Sequence, residues 1–158
     1  MRVEFWKPTI GGAPKMVLHR DGKEAKVEAT TLFFVRHDLT HYAVETVLVF
    51  RRAFWGLIAD GWEIESFEAR RPGSRKAVEL PDEAILAERI VSLFDLEFGG
   101  WPEFDAVSAR KHFLDSSWGE LNITTDKLTE IRVYARKLHT SWNALQSGEH
   151  LDLQFPPV

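Results

Sequence analysis

The chain has 158 residues, 44% of them hydrophobic and 28% charged, which is the composition of an ordinary globular protein with one core. Its net charge of −4 argues against a general nucleic-acid-binding protein, which needs a basic face to release counterions from phosphates. The absence of cysteine excludes disulfides, thiolate metal ligands and a cysteine nucleophile. No apolar run reaches the roughly 18 residues of a membrane span, and the first residues lack the apolar segment of a secretory signal. We therefore expect one globular domain over residues 1–158, in the cytoplasm, with neither nucleic acid nor membrane as a partner.

The first 35 residues predict a small antiparallel sheet. Residues 2–6 have the composition of a short strand. Asp21-Gly22 is a favoured two-residue turn, and it predicts a hairpin between residues 15–20 and 23–29. Residues 30–35 are mostly β-branched or aromatic, so we expect the second strand of the hairpin to continue through them. The sheet should then lead directly into the helix that follows.

The stretch from His37 to Gly61 is predicted to form one long, largely buried helix. On a helical wheel its apolar side chains cover more than the stripe of a surface helix, which indicates that other elements cover most of its sides. Asp38 is a good N-cap, and Gly61 can take the left-handed conformation that ends many helices. We therefore expect the chain to be organised around this helix.

Four polar residues near the start of this helix, in the pattern HDxxHxxxE, form the candidate site: His37, Asp38, His41 and Glu45. His41 and Glu45 are four residues apart, so they face the same way on a helix. Imidazoles and carboxylates at this spacing suit a divalent transition metal such as zinc, with water in an open position for hydrolysis. The pattern differs from the metalloprotease motif HExxH, because the glutamate that acts as the base there is missing.

The same residues allow two alternatives to the full site. If Asp38 caps the helix, His37 lies outside it, and the ligand set shrinks to Asp38, His41 and Glu45. In the simpler alternative the residues form only a capped helix start, in which a hydrogen bond to Glu45 tethers the His41 ring or both side chains are solvated. The sequence identifies no catalytic residue beyond these candidates and no organic cofactor site.

The second half of the chain predicts three more helices and a final strand. Apolar residues recur at helical spacing over residues 82–98, 103–115 and 125–147. Residues 151–155 alternate apolar and polar side chains, which predicts a half-buried strand. We expect this strand to return to the N-terminal sheet.

The helix over residues 125–147 has the most regular pattern in the chain. Thr125 is its expected cap and Gly148 its expected end. Its apolar residues alternate at spacings of three and four, which predicts packing against the central helix rather than against a second copy. Four residues lie off this seam and are expected to be solvated or without a partner: Arg132, Arg136, Lys137 and His139.

The order of these elements predicts an α+β fold, in which a small antiparallel sheet of N-terminal strands plus the C-terminal strand packs against about four helices. One hypothesis, which comes from the polar residues on the apolar helix, is a small divalent-metal-binding protein with hydrolytic activity. The alternative is a non-catalytic ligand-binding or protein-interaction module, whose 6 Trp and 11 Phe line a pocket or the interface of a homo-oligomer such as a homodimer. The metal content of the wild type and of His41→Ala would separate these hypotheses.

Overall fold

The computed structural model describes residues 1–28, 32–64, 67, 79–113 and 123–155. In these ranges it has an α+β fold of four strands and five helices, which confirms the predicted fold class. The strands are β1 Arg2–Trp6, β2 Lys15–Arg20, β3 Lys23–Glu28 and β4 His150–Gln154. The helices are α1 Leu32–Leu48, α2 Phe54–Ala59, α3 Asp82–Phe98, α4 Ala106–Phe113 and α5 Thr125–Ala144.

The four strands form one antiparallel sheet in the order β3-β2-β1-β4. Asp21 and Gly22 join β2 to β3 with φ angles of 50° and 71°, the left-handed conformations that a type I′ hairpin turn requires. β4 pairs with β1, from Trp6 opposite His150 to Arg2 opposite Gln154. The predicted hairpin and the predicted return of the C-terminal strand are therefore both confirmed.

The helices cover one face of this sheet. Alternate residues of β1 and β2 point toward them and are buried, because successive side chains of a strand point to opposite faces. These inward residues are Val3, Phe5, Met16 and Leu18. They join the apolar side chains of the helices in one contiguous hydrophobic cluster.

The predicted central helix is not continuous, and the sequence prediction is wrong at this point. α1 ends at Leu48, and Val49 adopts a left-handed conformation with φ of 57°. The Phe50 N–H donates to the Glu45 carbonyl at 2.9 Å. The Val49 N–H donates to the Thr46 carbonyl at 3.4 Å, and the two bonds together form a Schellman motif. The chain then continues into α2 as a separate short helix.

Two carboxylates hold the break between α1 and α2, and one of them is distant in sequence. Glu83 on α3 accepts hydrogen bonds from two backbone N–H groups of the connection. Glu45 on α1 accepts two more at the start of α2. Residues 48–53 contain neither glycine nor proline, so the apolar pattern alone cannot reveal that the helix stops here.

α1 also begins earlier than predicted, at Leu32, so the expected continuation of β3 is wrong over residues 32–35, and residues 29–31 lie outside the described residues. Strand propensity is a weak preference, and tertiary packing overrides it here. Asp38 consequently lies inside the helix and is not its N-cap. His37, His41 and Glu45 then follow one another at spacings of four residues and share one face of α1.

α5 packs against α1, as its apolar seam predicts. Its cap is Thr124 rather than Thr125, because Thr124 Oγ1 accepts the Lys127 N–H at 3.2 Å. The helix ends at Ala144, ahead of the expected stop at Gly148. The buried residues of the seam are Leu128, Ile131, Ala135, Leu138 and Trp142.

Two residues of α5 that were expected to be solvated or unpartnered are buried and paired. The Arg132 guanidinium donates to both carboxylate oxygens of Glu97 on α3, each at 2.7 Å. His139 Nε2 lies 3.2 Å from Thr40 Oγ1 and 3.1 Å from the Arg36 carbonyl, both on α1. These contacts connect α5 to both neighbouring helices.

The two remaining helices agree with the sequence to different degrees. α3 coincides with the helix predicted over residues 82–98. α4 starts at Ala106 rather than at Glu103, and the predicted helical residues beyond 113 lie outside the described residues. None of the helices in the described part of the chain is long and apolar enough to cross a membrane.

Candidate metal centre

Two histidines of α1 and one glutamate of α3 form a cluster where these helices pack together. One potential ligand atom from each of His37, His41 and Glu88 lies within 4.8 Å of the other two. His41 Nε2 is 3.0 Å from Glu88 Oε2, and His37 Nε2 is 3.8 Å from Glu88 Oε1. Both imidazoles therefore direct the same ring nitrogen, Nε2, toward one carboxylate.

A second carboxylate lies behind each imidazole. His37 Nδ1 is 2.8 Å from Asp95 Oδ2, a short hydrogen-bonding distance. His41 Nδ1 is 3.4 Å from Glu45 Oε1. A carboxylate that accepts the Nδ1 proton fixes the imidazole in the tautomer whose Nε2 carries the free lone pair. His37 has this arrangement, which orients histidine ligands in metal sites, and His41 has a carboxylate beside Nδ1 at a longer distance.

Helix geometry brings these groups together. On α1, His37, His41 and Glu45 are spaced four residues apart, so their side chains lie one above the other. On α3, Glu88 and Asp95 are seven residues apart, which is close to two turns and places them on the same face. The packing of α1 against α3 then sets the two polar faces opposite each other.

The Glu45 side chain is buried, and its two carboxylate oxygens face different groups: one the start of α2 and the other the His41 ring. Its Oε2 accepts the backbone N–H groups of Trp55 at 2.9 Å and Gly56 at 3.3 Å, so it caps α2, whose N-cap residue Ala53 has no side-chain oxygen. Within the described part of the chain, Glu45 Oε1 and His41 Nδ1 have no hydrogen-bond partner. Their separation of 3.4 Å is long for a hydrogen bond and short enough for strong electrostatic attraction.

The carboxylates change the protonation of the site. Burial lowers the pKa of His41, but Glu45 and Glu88 outweigh it and raise this pKa to about 9. Burial raises the pKa of Asp38 to about 6, against the opposing effect of His41 and His37. Without a metal, His41 is therefore an imidazolium paired with carboxylates, and a metal ion would take the place of its Nε2 proton.

The geometry revises the four-residue set suggested by the sequence. His37 and His41 come together as predicted, whereas Asp38 and Glu45 do not join them in the cluster of potential ligand atoms. Sequence reasoning missed Glu88 and Asp95, which α3 supplies. Their spacing on the polar side of a predicted amphipathic helix was a visible signal, but it did not indicate which helix they would face.

Comparison with known proteins adds no assignment. No family model matches the chain, and neither a curated protein nor a solved structure matches it significantly.

Proposed function

We propose that the protein binds a divalent transition metal ion, with zinc as the first candidate, through His37 Nε2, His41 Nε2 and the Glu88 carboxylate. The observation that carries the proposal is that two imidazoles direct Nε2 toward one carboxylate while a further carboxylate stands at each Nδ1. An ion pair needs only one acceptor for each imidazole. The second acceptor is the feature expected of a ligand whose Nε2 must remain unprotonated.

The donor set favours particular metals. Two imidazole nitrogens and one carboxylate suit zinc, and they also suit iron(II), cobalt(II) and manganese(II). Three protein ligands leave at least one coordination position open, which distinguishes catalytic from structural zinc sites. The His41 side chain is 6% exposed and the Glu88 side chain 55% exposed, so the open position would face solvent on the α3 side.

Hydrolysis is the chemistry that we propose for this centre. A metal with an open position lowers the pKa of a coordinated water and polarises a carbonyl oxygen. Asp38 lies close enough to both histidines to interact with them electrostatically and is outside the ligand set, so we assign it the role of accepting a proton from that water. Asp38→Asn should keep the metal and lower turnover of a chromogenic ester about 100-fold, which is the low end of what general-base catalysis contributes.

Metal content tests the proposal directly. Wild type and Glu88→Gln would be purified without a chelator and analysed for metals per polypeptide. Glu130→Gln is the matched control, since the side chains of Glu88 and Glu130 are 55% and 56% exposed and both lie on helices. We expect about one metal ion per chain in the wild type and the control, and a clear loss in Glu88→Gln.

A histidine pair completes the test. His41→Ala removes a buried ligand, and His150→Ala removes an exposed histidine of β4 whose ring stacks on Trp6 and is not part of the cluster. Circular dichroism and urea unfolding would show whether His41→Ala is still folded. If the wild type contains no metal and takes up neither zinc nor cobalt by calorimetry, the proposal is wrong, and the cluster is an ion-pair network.

The non-catalytic alternative stays a prediction, with a weaker basis than the sequence suggested. It rested on the surplus of large aromatic side chains, and part of that surplus is used in the core. Those that are completely buried are Trp55, Trp142, Phe5, Phe94 and Phe155. A homodimer remains a prediction for light scattering in solution.

A further inference from the structure

We infer that the metal centre takes a neutral ligand in which an aromatic or similarly flat apolar group adjoins a metal-binding carbonyl oxygen. The inference rests on the proposed function and specifies the substrate class for the same site. Three observations carry it: an exposed aromatic ring over one imidazole, a row of rings beside the other, and a surplus of negative charge around both.

The exposed ring belongs to Phe33, one turn before His37 on α1. It is 58% exposed, and it stacks on the His37 imidazole with ring centroids 5.8 Å apart and planes 25° apart. A large apolar side chain gains free energy when a ligand covers it, and its flat face favours a second aromatic ring. Phe33 therefore offers a stacking surface next to a proposed ligand of the metal.

The row of rings begins beside His41. Phe54 on α2 is half-buried, with its ring centroid 5.7 Å from that of His41. The row continues to Phe67, whose ring centroid lies 5.0 Å from that of Phe54 and 5.7 Å from that of Trp62. Each of the two imidazoles thus has an aromatic neighbour, so a group bound at the metal would meet apolar surface.

The charge around the cluster argues against a phosphorylated ligand. Two carboxylates stand behind the imidazoles, Glu88 faces them, and Asp38 interacts electrostatically with both. Among the described residues, one divalent cation would not balance these four carboxylates when all of them are ionised. A phosphate group would be repelled here, whereas a neutral carbonyl would still be attracted by the metal.

Two hydroxamic acids that differ only in their apolar part test the inference, since both are uncharged in solution near pH 7 and lose a proton only on binding the metal. Protein loaded with cobalt(II) would be titrated with acetohydroxamate and benzohydroxamate, and the visible spectrum of cobalt would report binding. We expect benzohydroxamate to bind about tenfold more tightly than acetohydroxamate. Burial of its phenyl group against the protein contributes a free energy equivalent to a tenfold or greater change in the dissociation constant. Inorganic phosphate should not displace either compound at comparable concentration.

The matched pair of variants is Phe33→Ala and Phe34→Ala. Both residues are exposed, at 58% and 46%, but only Phe33 stacks on His37. Phe33→Ala should reduce the preference for benzohydroxamate to about threefold or less, and Phe34→Ala should preserve it.

Each outcome decides between the inference and the proposed function. Equal affinity for the two hydroxamates in cobalt-loaded wild type overturns the inference and leaves the metal site standing. An unchanged preference in Phe33→Ala, or tight binding of phosphate, also overturns it. Failure of the wild type to acquire a cobalt spectrum overturns the proposed function, and the inference with it.

Discussion

At the scale of single residues, Glu45 joins the candidate site to the fold. One carboxylate oxygen caps α2 through the Trp55 and Gly56 N–H groups, and the other faces His41 Nδ1. Glu45→Ala removes both contacts from a buried position and should lower the free energy of unfolding by about 2–4 kcal/mol. Urea unfolding of the metal-free protein measures this loss, and stability equal to the wild type would contradict the capping role.

Glu45→Gln separates the two contacts. The amide oxygen can still accept from α2, which leaves the amide NH₂ facing His41 Nδ1. An NH₂ donor there favours the tautomer with the proton on Nε2, the atom proposed to bind metal. We expect nearly wild-type stability with zinc affinity reduced about 10–100-fold. Calorimetric titration with zinc checks this, and unchanged affinity would show that Glu45 acts only as a cap.

His139 should make stability depend on pH. Burial lowers its pKa, and its Nε2 stays within 3.1 Å of the Arg36 carbonyl. As pH falls through the ordinary histidine pKa near 6.5, the unfolded chain binds a proton that the folded chain resists, so stability falls. This one group changes the free energy of unfolding by at most about 1.4 kcal/mol per pH unit. Urea midpoints between pH 7.5 and 5 should fall more steeply in wild type than in His139→Gln, and parallel curves would argue against the effect.

At the scale of elements, three helices end in the same motif, two of them with glycine at its left-handed position and one with valine. Gly61 ends α2 with φ of 108°, and Gly100 follows α3 with the same angle. α1 uses Val49, whose β-branched side chain makes φ of 57° costly. Because this side chain is 64% exposed, it contributes little burial in return.

Val49→Gly should therefore stabilise the protein by about 0.5–1 kcal/mol. Removal of the left-handed strain, about 1–2 kcal/mol, is partly offset by the greater chain entropy of glycine in the unfolded state. Gly100→Ala is the control in the opposite direction: it introduces a side chain at a left-handed position and should lower the free energy of unfolding by about 1 kcal/mol. Thermal or urea unfolding compares the three proteins. A loss of stability in Val49→Gly would mean that the Val49 side chain makes a contribution larger than its strain.

Elements that are defined by neighbouring residues could be predicted from the sequence, and those held by distant contacts could not. Local signals predicted the hairpin at Asp21-Gly22, the limits of α3 and the seam of α5, because each depends on neighbouring residues. The break after α1 was missed because Val49 carries no turn signal and because the Glu83 carboxylate, 31 and 32 residues from the N–H groups it accepts, holds the connection. Arg132 was wrongly expected to be solvated for a related reason, since its buried partner Glu97 lies 35 residues away in the sequence.

At the scale of the whole molecule, α1 is the element that contacts α2, α3 and α5. The candidate site lies on it, and spacing within α1 was enough to suggest His37 and His41. Their partner Glu88 is 47 residues from His41, and Asp95 is 58 residues from His37. No local pattern could have assigned these two to the site, because their position follows from how α3 packs on α1.

A metal ion held by both α1 and α3 would link two segments of the core, so it should stabilise the whole fold. Binding to the folded state alone adds about 2.7 kcal/mol when free metal is 100 times the dissociation constant. For a chain of this size that corresponds to a rise in Tm of roughly 5–10 °C. The measurement is a thermal scan with EDTA and with a slight excess of zinc. Glu88→Gln should show no rise and Glu130→Gln the full rise. An equal rise in Glu88→Gln would place the stabilising ion elsewhere on the protein.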